Sequence, residues 1–228
     1  MKKIIYNKFV KSWIAPLPRV EFPGRIIVIA SPQETESAVN HLLSMPVLGV
    51  DTETRPSFSK NQHFETSLLQ VATQNECFLF RLNYTGMTPA IIRLLEDRTV
   101  PKIGLSWHDD LAGLKRLHDF TPGWFIDLQN HIKEIGIEDL SLQKMYANLF
   151  GERISKAERL SNWERDVLKP AQLSYAAIDA WACIRLYEEL QRLLTTQDYE
   201  LKSTEMILEI EEDFKMYEYL AAQKEQRG

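Results

Sequence analysis

Short apolar runs alternate along the chain with longer segments in which apolar residues recur every three or four positions. This alternation predicts strands interleaved with helices. Arg25 to Ala30, Val47 to Glu53, Leu68 to Ala72, Cys77 to Leu82, Lys102 to Leu105 and Trp124 to Leu128 read as strands. The run opening at Val47 is apolar and valine-rich, the pattern of a strand buried on both faces. Only Thr73-Gln74-Asn75-Glu76 separates the third and fourth runs, which predicts an antiparallel hairpin. A helix opens after Ser31, where Pro32 and Glu34 complete a capping signal, and Ala38, Leu42 and Leu43 form its apolar side. Further helices span 88–96 behind Pro89, follow a Ser106 cap with Trp107, Leu111, Leu114 and Leu117 apolar, and span 140–150. The last helix of the core starts near Pro170 and carries Leu173, Ala176, Ala177, Ala180, Ile184 and Tyr187 as one stripe. Together these predict an α/β fold, a mixed sheet of five to six strands flanked by helices.

Around this core the pattern changes. Residues 1–24 hold three prolines and little periodicity, and read as an N-terminal extended arm packed on a domain spanning 25–195. Residues 196–228 form an acidic extension, helical in pattern over 201–222, with Met206, Ile207, Ile210, Phe214, Tyr217 and Leu220 on one face. That face is expected to pack on its own chain, with self-association as the other use. Residues 55–66 mix Arg55, Lys60 and His63 with Phe58 and Phe64. Such a loop suits a nucleic-acid strand, whose bases stack and whose phosphates attract cations, and equally an ordinary exposed loop. The polar connection 151–169 carries Arg153, Lys156, Arg159 and Arg165.

Composition narrows the class. A chain of 228 residues, 44% hydrophobic and 26% charged, builds one large soluble domain. No apolar run approaches the ~18 residues a membrane span needs. Polar residues interrupt the basic start before any signal core forms, so a cytoplasmic location is expected if the source is bacterial. Cys77 and Cys183 lack metal-ligand spacing and read as buried thiols. A net charge of −5 gives no overall basic footprint for nucleic acid. The charge is uneven. Residues 1–25 carry six bases against Glu21 alone, while the tail from Asp198 carries nine acids against four bases.

The candidate chemistry begins at Val50-Asp51-Thr52-Glu53. Strand side chains alternate, so Asp51 and Glu53 point to one side at the carboxyl end of the strand. Two such acids stay ionised cheaply only with a cation between them, and oxygen ligands of this kind suit Mg²⁺ or Mn²⁺. Taken alone, the pair is also the pattern of a strand running into a solvated turn. Asp109 and Asp110 fall in the first turn of a helix, where the dipole favours acids with or without a function. Asp127 ends a strand and reads as a cap for the next element. Tyr175 and Asp179, four apart on a helix, share one face.

Read together, the motifs resemble a known family. They are Val50-Asp51-Thr52-Glu53; Gly104 followed by Asp110 and Leu114; Ser161-Asn162-Trp163; and Gln172 with Tyr175-Ala176-Ala177 and Asp179-Ala180. This set resembles the DEDD 3′–5′ exonucleases in the subgroup with tyrosine in the third motif, and looks most like the ribonuclease D and Werner-syndrome exonuclease branch. The similarity covers roughly 25–195. Spacing from Gly104 and register with Leu114 favour Asp110 over Asp109. The resemblance implies a ribonuclease H-like (DnaQ-like) fold. It further implies that Asp51, Glu53, Asp110 and Asp179 bind two divalent metals, Mg²⁺ or Mn²⁺, with Asp51 bridging them. Tyr175 would position the attacking water or help deprotonate it. By the same analogy the backbone around Thr52 lies near the terminal 3′ hydroxyl, and Lys156 and Trp163 border the bound strand, a packing role being the equal reading for Trp163.

The implied activity is hydrolysis of single-stranded or 3′-ended DNA or RNA from the 3′ end, releasing nucleoside 5′-monophosphates. Two departures stand out. Lys169 occupies a position that the family often fills with a capping serine or threonine. The tail is too short for the C-terminal domains that accompany ribonuclease D, so a stand-alone exonuclease domain is expected. The competing readings are a catalytically silent nucleic-acid-binding module on the same fold, and an assembly protein using the acidic tail. All four carboxylates and the tyrosine are present, which favours the enzyme.

Overall fold

The computed structural model describes residues 2–59, 62–207 and 209. In chain order its elements begin with β1 (Lys3–Tyr6), α1 (Lys11–Ile14), β2 (Arg25–Ile29), α2 (Pro32–Leu42), β3 (Leu48–Thr54), β4 (Thr66–Ala72) and β5 (Glu76–Arg81). There follow α3 (Leu82–Thr85), α4 (Pro89–Glu96), β6 (Lys102–Gly104), α5 (Trp107–Leu117), β7 (Phe125–Asp127) and α6 (Leu128–His131). A 3₁₀ turn, Ile132–Ile135, leads to α7 (Leu142–Phe150), α8 (Pro170–Thr196) and β8 (Tyr199–Lys202). Six strands make one sheet in the order β2-β5-β4-β3-β6-β7. Only β4 runs against its neighbours, which makes the sheet mixed as expected.

The alternation of side chains along β4 divides the core into two layers. Leu68 and Ala72 face α8, where they meet Ala176, Ala180 and Ile184. Leu69 and Val71 face the other side, against Val39 and Leu42 of α2 and Ile91 and Leu94 of α4. Each such leucine, fully buried, contributes about 1.5–3 kcal/mol of transfer free energy. Helix α2 starts as its sequence dictates, with the Glu34 carboxylate accepting the Ser31 N–H at 3.0 Å. Helix α8 is buried beyond the expected stripe, since Ile178, Trp181, Cys183 and Leu186 are covered as well. Among the described residues no helix is long and apolar enough to cross a membrane.

The two ends of the chain differ from the sequence expectation. Residues 1–24 are not simply an extended arm. Strand β1 pairs in parallel with β8 from the far end of the chain, and α1 forms a helical turn. The reason is apolar burial: Ile5, Phe9, Ile14 and Val20 are all buried, and Tyr6, Phe9 and Trp13 pack edge to face. Leu201, placed by its pattern in a helix, lies instead in β8, and helical geometry begins at Thr204. Ile210, Phe214, Tyr217 and Leu220 of the expected helical face lie outside the described residues.

Candidate metal centre

Strand β3 carries Asp51 and Glu53 toward α8, and two glycines set the approaches that complete the site. A Cβ on Gly49 would stand 2.0 Å from the Ala180 carbonyl oxygen, so only glycine lets α8 lie this close on β3. That contact sets Asp179, one residue earlier, over Asp51. A Cβ on Gly104 would collide with the Trp107 ring and stand 2.9 Å from the Val50 carbonyl oxygen, so glycine also lets α5 fold back tightly beside the strand. At the end of β3 the register with β4 slips between Glu53 and Thr54, and the Ser67 hydroxyl donates to the Glu53 carbonyl at 3.2 Å. Such a bulge turns the strand end and re-aims its side chains.

Asp51, Glu53 and Asp179 each offer a carboxylate oxygen, all within 4.8 Å of one another. Asp110 falls outside this trio: its carboxylate accepts the Thr52 hydroxyl, near enough for its charge to act on Asp51. Its neighbour Asp109 is turned to solvent, paired with His108 at 3.1 Å.

Crowding shapes the electrostatics. Burial first, then the neighbouring carboxylates of Asp179 and Asp110, push Asp51 well above the usual carboxylate range. Glu53 is pushed up to about 10, by burial and then by Asp51, Asp179 and Asp110. Burial lifts Asp179 to about 7 against the opposing hydrogen bond from Tyr175 and the charge of Lys156. Burial is also the main reason that Asp110 is raised. An all-oxygen donor set that holds its charge at such cost fits a hard divalent cation, which would neutralise it.

The segment 151–169 is fastened over the site by side chains from the sheet and from α8. Arg81, opposite Leu68 on the sheet, donates to the carbonyls of Arg165 at 2.6 Å and Asp166 at 3.3 Å. Gln172 donates to the Ser161 hydroxyl at 2.8 Å and the Asn162 carbonyl at 3.1 Å, and its Oε1 accepts the Lys169 N–H at 3.0 Å. Gln172 thus ties the Lys169 N–H at the start of α8, where the Lys169 side chain itself makes no cap. Lys156 and Arg159 are exposed on this segment and act on Asp179 and Glu53 respectively.

Trp163 requires a correction. It is 0% exposed, so it cannot border a bound strand. Its ring packs 5.9 Å from that of Tyr175 and supports the tyrosine from behind. The 55–66 loop leaves Phe58 84% exposed, while Arg55 lies over Phe64 at 4.4 Å and pairs with Glu164 at 3.3 Å. Arg19 and Val20, from the N-terminal segment, line a cavity of about 230 Å³ that Tyr175 also lines.

Two residues at or near the site, Arg159 and Gln70, carry no individual signal of function in the sequence analysis, and a third, Asp127, does more than its pattern predicts. Arg159 was one of several bases in a polar run. Gln70, a polar residue in the middle of an otherwise apolar strand, sits directly opposite Asp51. Asp127, expected to cap one element, caps two. It accepts the Gln129 N–H at the start of α6, and also the Ser106 and Trp107 N–H groups at the start of α5. Ser106 makes no side-chain cap, contrary to expectation.

The fold and this cluster define a class: an α/β domain with a carboxylate centre at the end of a central strand. The chain belongs to the 3′–5′ exonuclease family, which matches residues 26–195. It is 28% identical over 206 residues to the mouse bifunctional 3′–5′ exonuclease/ATP-dependent helicase WRN, covering 86% of this chain but only 15% of that protein. In fold it is similar to the Nibbler EXO domain of Aedes aegypti, with a TM-score of 0.69 and 19% identity over 82% of this chain and 95% of that one. It is similar also to Trypanosoma brucei RNase D in complex with RNA U12, with a TM-score of 0.64 and 20% identity over 74% and 63% of the two chains.

Proposed function

We propose that this protein is a 3′–5′ exonuclease of the tyrosine DEDD subgroup, hydrolysing DNA or RNA from the 3′ end to release nucleoside 5′-monophosphates. One observation carries the reading: in a chain of this family, Asp51, Glu53 and Asp179 converge within 4.8 Å at the end of a central strand. Asp51, Glu53, Asp110 and Asp179 hold two divalent cations, Mg²⁺ or Mn²⁺. Bound there, these supply Lewis-acid stabilisation of the phosphate and lower the pKa of water.

The protein's own groups do the rest. Tyr175 neighbours Asp179, and burial together with the nearby acids pushes its pKa far above the usual phenol value. It therefore keeps its proton at neutral pH and orients the attacking water rather than acting as a base. Thr52 fixes Asp110 through its hydroxyl while its backbone lies near the terminal 3′ hydroxyl. Lys156 and Arg159 bring positive charge over the cluster and meet the phosphates of the incoming strand. Phe58, exposed on the 55–66 loop, offers a face for an unpaired base.

The test is direct. The protein is incubated with 5′-labelled single-stranded DNA, single-stranded RNA and a duplex with a recessed 3′ end, with Mg²⁺ or Mn²⁺, beside Asp51→Ala. A metal-dependent ladder shortening from the 3′ end and absent in the variant is expected. Binding without any ladder on all three substrates would reassign the chain to a silent binding module.

A further inference from the structure

Gln70 lies in the middle of β4, paired across to Asp51 on β3 and to Leu79 on β5. Directly opposed residues of an antiparallel pair project to one face, with Cβ atoms about 4.5–5.5 Å apart. The Gln70 side chain therefore stands beside Asp51, in the layer under α8. It is 0% exposed, and neither its Nε2 nor its Oε1 has a hydrogen-bond partner among the described residues. Its neighbours along and across that face, Leu68, Ala72 and Leu79, are apolar core residues. A buried amide without partners gives up its hydration and receives nothing for it, whereas a methionine fills nearly the same space at no such cost. Folding alone does not explain an amide here.

We propose that Gln70 is a positioning residue for Asp51, its Nε2 donating to the carboxylate oxygen that a bound divalent cation leaves free. This rests on the reading of Asp51 as a cation ligand. Outer hydrogen bonds of this kind hold a ligating carboxylate in one rotamer. A neutral donor suits the task, because a lysine or arginine at the same place would compete with the cation for the Asp51 charge. The amide then stands idle in the metal-free protein and is used only in the loaded one.

The experiment compares wild type, Gln70→Met and Asp51→Ala. Mn²⁺ affinity is read from the electron paramagnetic resonance signal of free Mn²⁺, and melting temperature is measured without metal. Gln70→Met should melt at or above wild type when metal-free, and should bind Mn²⁺ about 10–100-fold more weakly. Three results would overturn the proposal. Melting of metal-free Gln70→Met below wild type, or its failure to fold, would make the amide a structural group. Wild-type Mn²⁺ affinity in Gln70→Met, with Asp51→Ala impaired, would remove Gln70 and leave the cation site standing. Unchanged Mn²⁺ binding in both variants would remove the cation site and the proposal together.

Discussion

The carboxylate of Asp127 accepts the backbone N–H of Ser106 at 3.0 Å, taking over a cap that the Ser106 hydroxyl does not provide. Ser106 sits at φ 58, in the left-handed region, where a side chain other than glycine's is strained. The second Asp127 oxygen accepts the Trp107 N–H at 3.2 Å, and the first is shared with Gln129 at 2.9 Å. One carboxylate thus joins the starts of α5 and α6, and α5 carries Asp110.

Asp127→Ala removes all three hydrogen bonds and leaves the strained turn without its tie. A loss of about 1–2 kcal/mol in unfolding free energy is expected, the scale of a lost helix cap. Asp127→Asn should recover part of it, because an amide oxygen still accepts. Urea denaturation of the three proteins measures this. Equal stability of wild type and Asp127→Ala would show that the turn holds itself.

Tyr175→Phe keeps the ring packed on Trp163 and deletes only the hydroxyl. If that hydroxyl orients water, kcat should fall at least about tenfold while KM stays near wild type. Steady-state kinetics on a short 3′-ended oligonucleotide separates the two constants. A rise in KM at constant kcat would instead assign the tyrosine to substrate binding.

Asp179→Asn removes one charge from a crowded trio of acids. Turnover should drop to background, because a ligand is lost, while the metal-free protein should melt higher than wild type, because repulsion is relieved. The two effects have opposite signs, so general damage to the fold cannot imitate them. Calorimetry in the presence of a chelator, paired with the nuclease assay, reads both.

Much of this arrangement was legible in the sequence because local rules and tertiary demands agree. The 25–195 strands and helices α2, α4 and α8 follow from periodicity and from the start signals at Ser31, Pro89 and Pro170. Asp51 and Glu53 were forced onto one face by strand alternation, and Asp179 followed from the motif that resembles the exonuclease family. What was hidden depends on contacts distant in sequence. Nothing near Lys3–Tyr6 reports that its partner is Tyr199–Lys202. The cap of α5 is Asp127, twenty residues after Trp107 at its start. Trp163 has the polar neighbours of an exposed residue but is buried beneath a segment pinned by Arg81 and Gln172. Gln70 did leave a local signal, one amide among apolar strand residues.

The crowded carboxylates also set how stability should depend on pH and on metal. Glu53 is pushed up from 4.5 to about 10, and Asp179 from 3.8 to about 7, in both cases chiefly by burial. In the folded, metal-free protein these groups hold protons that the unfolded chain has already released at neutral pH. A group of this kind contributes stability that is complete below its unfolded pKa and is lost as pH rises through its folded pKa. The metal-free melting temperature should therefore decline from about pH 4 to about pH 10, more steeply up to about pH 7, where both groups contribute, and less steeply above it, where Glu53 alone does. Millimolar Mg²⁺ or Mn²⁺ should raise the melting temperature most at the alkaline end, because cations bind the ionised carboxylates and not the protonated ones. Glu53→Gln, which cannot ionise, should flatten the metal-free decline. Differential scanning calorimetry across that pH range, with chelator and with metal, tests all three statements. A Glu53→Gln slope equal to that of wild type would mean that Glu53 does not hold its proton in the folded protein.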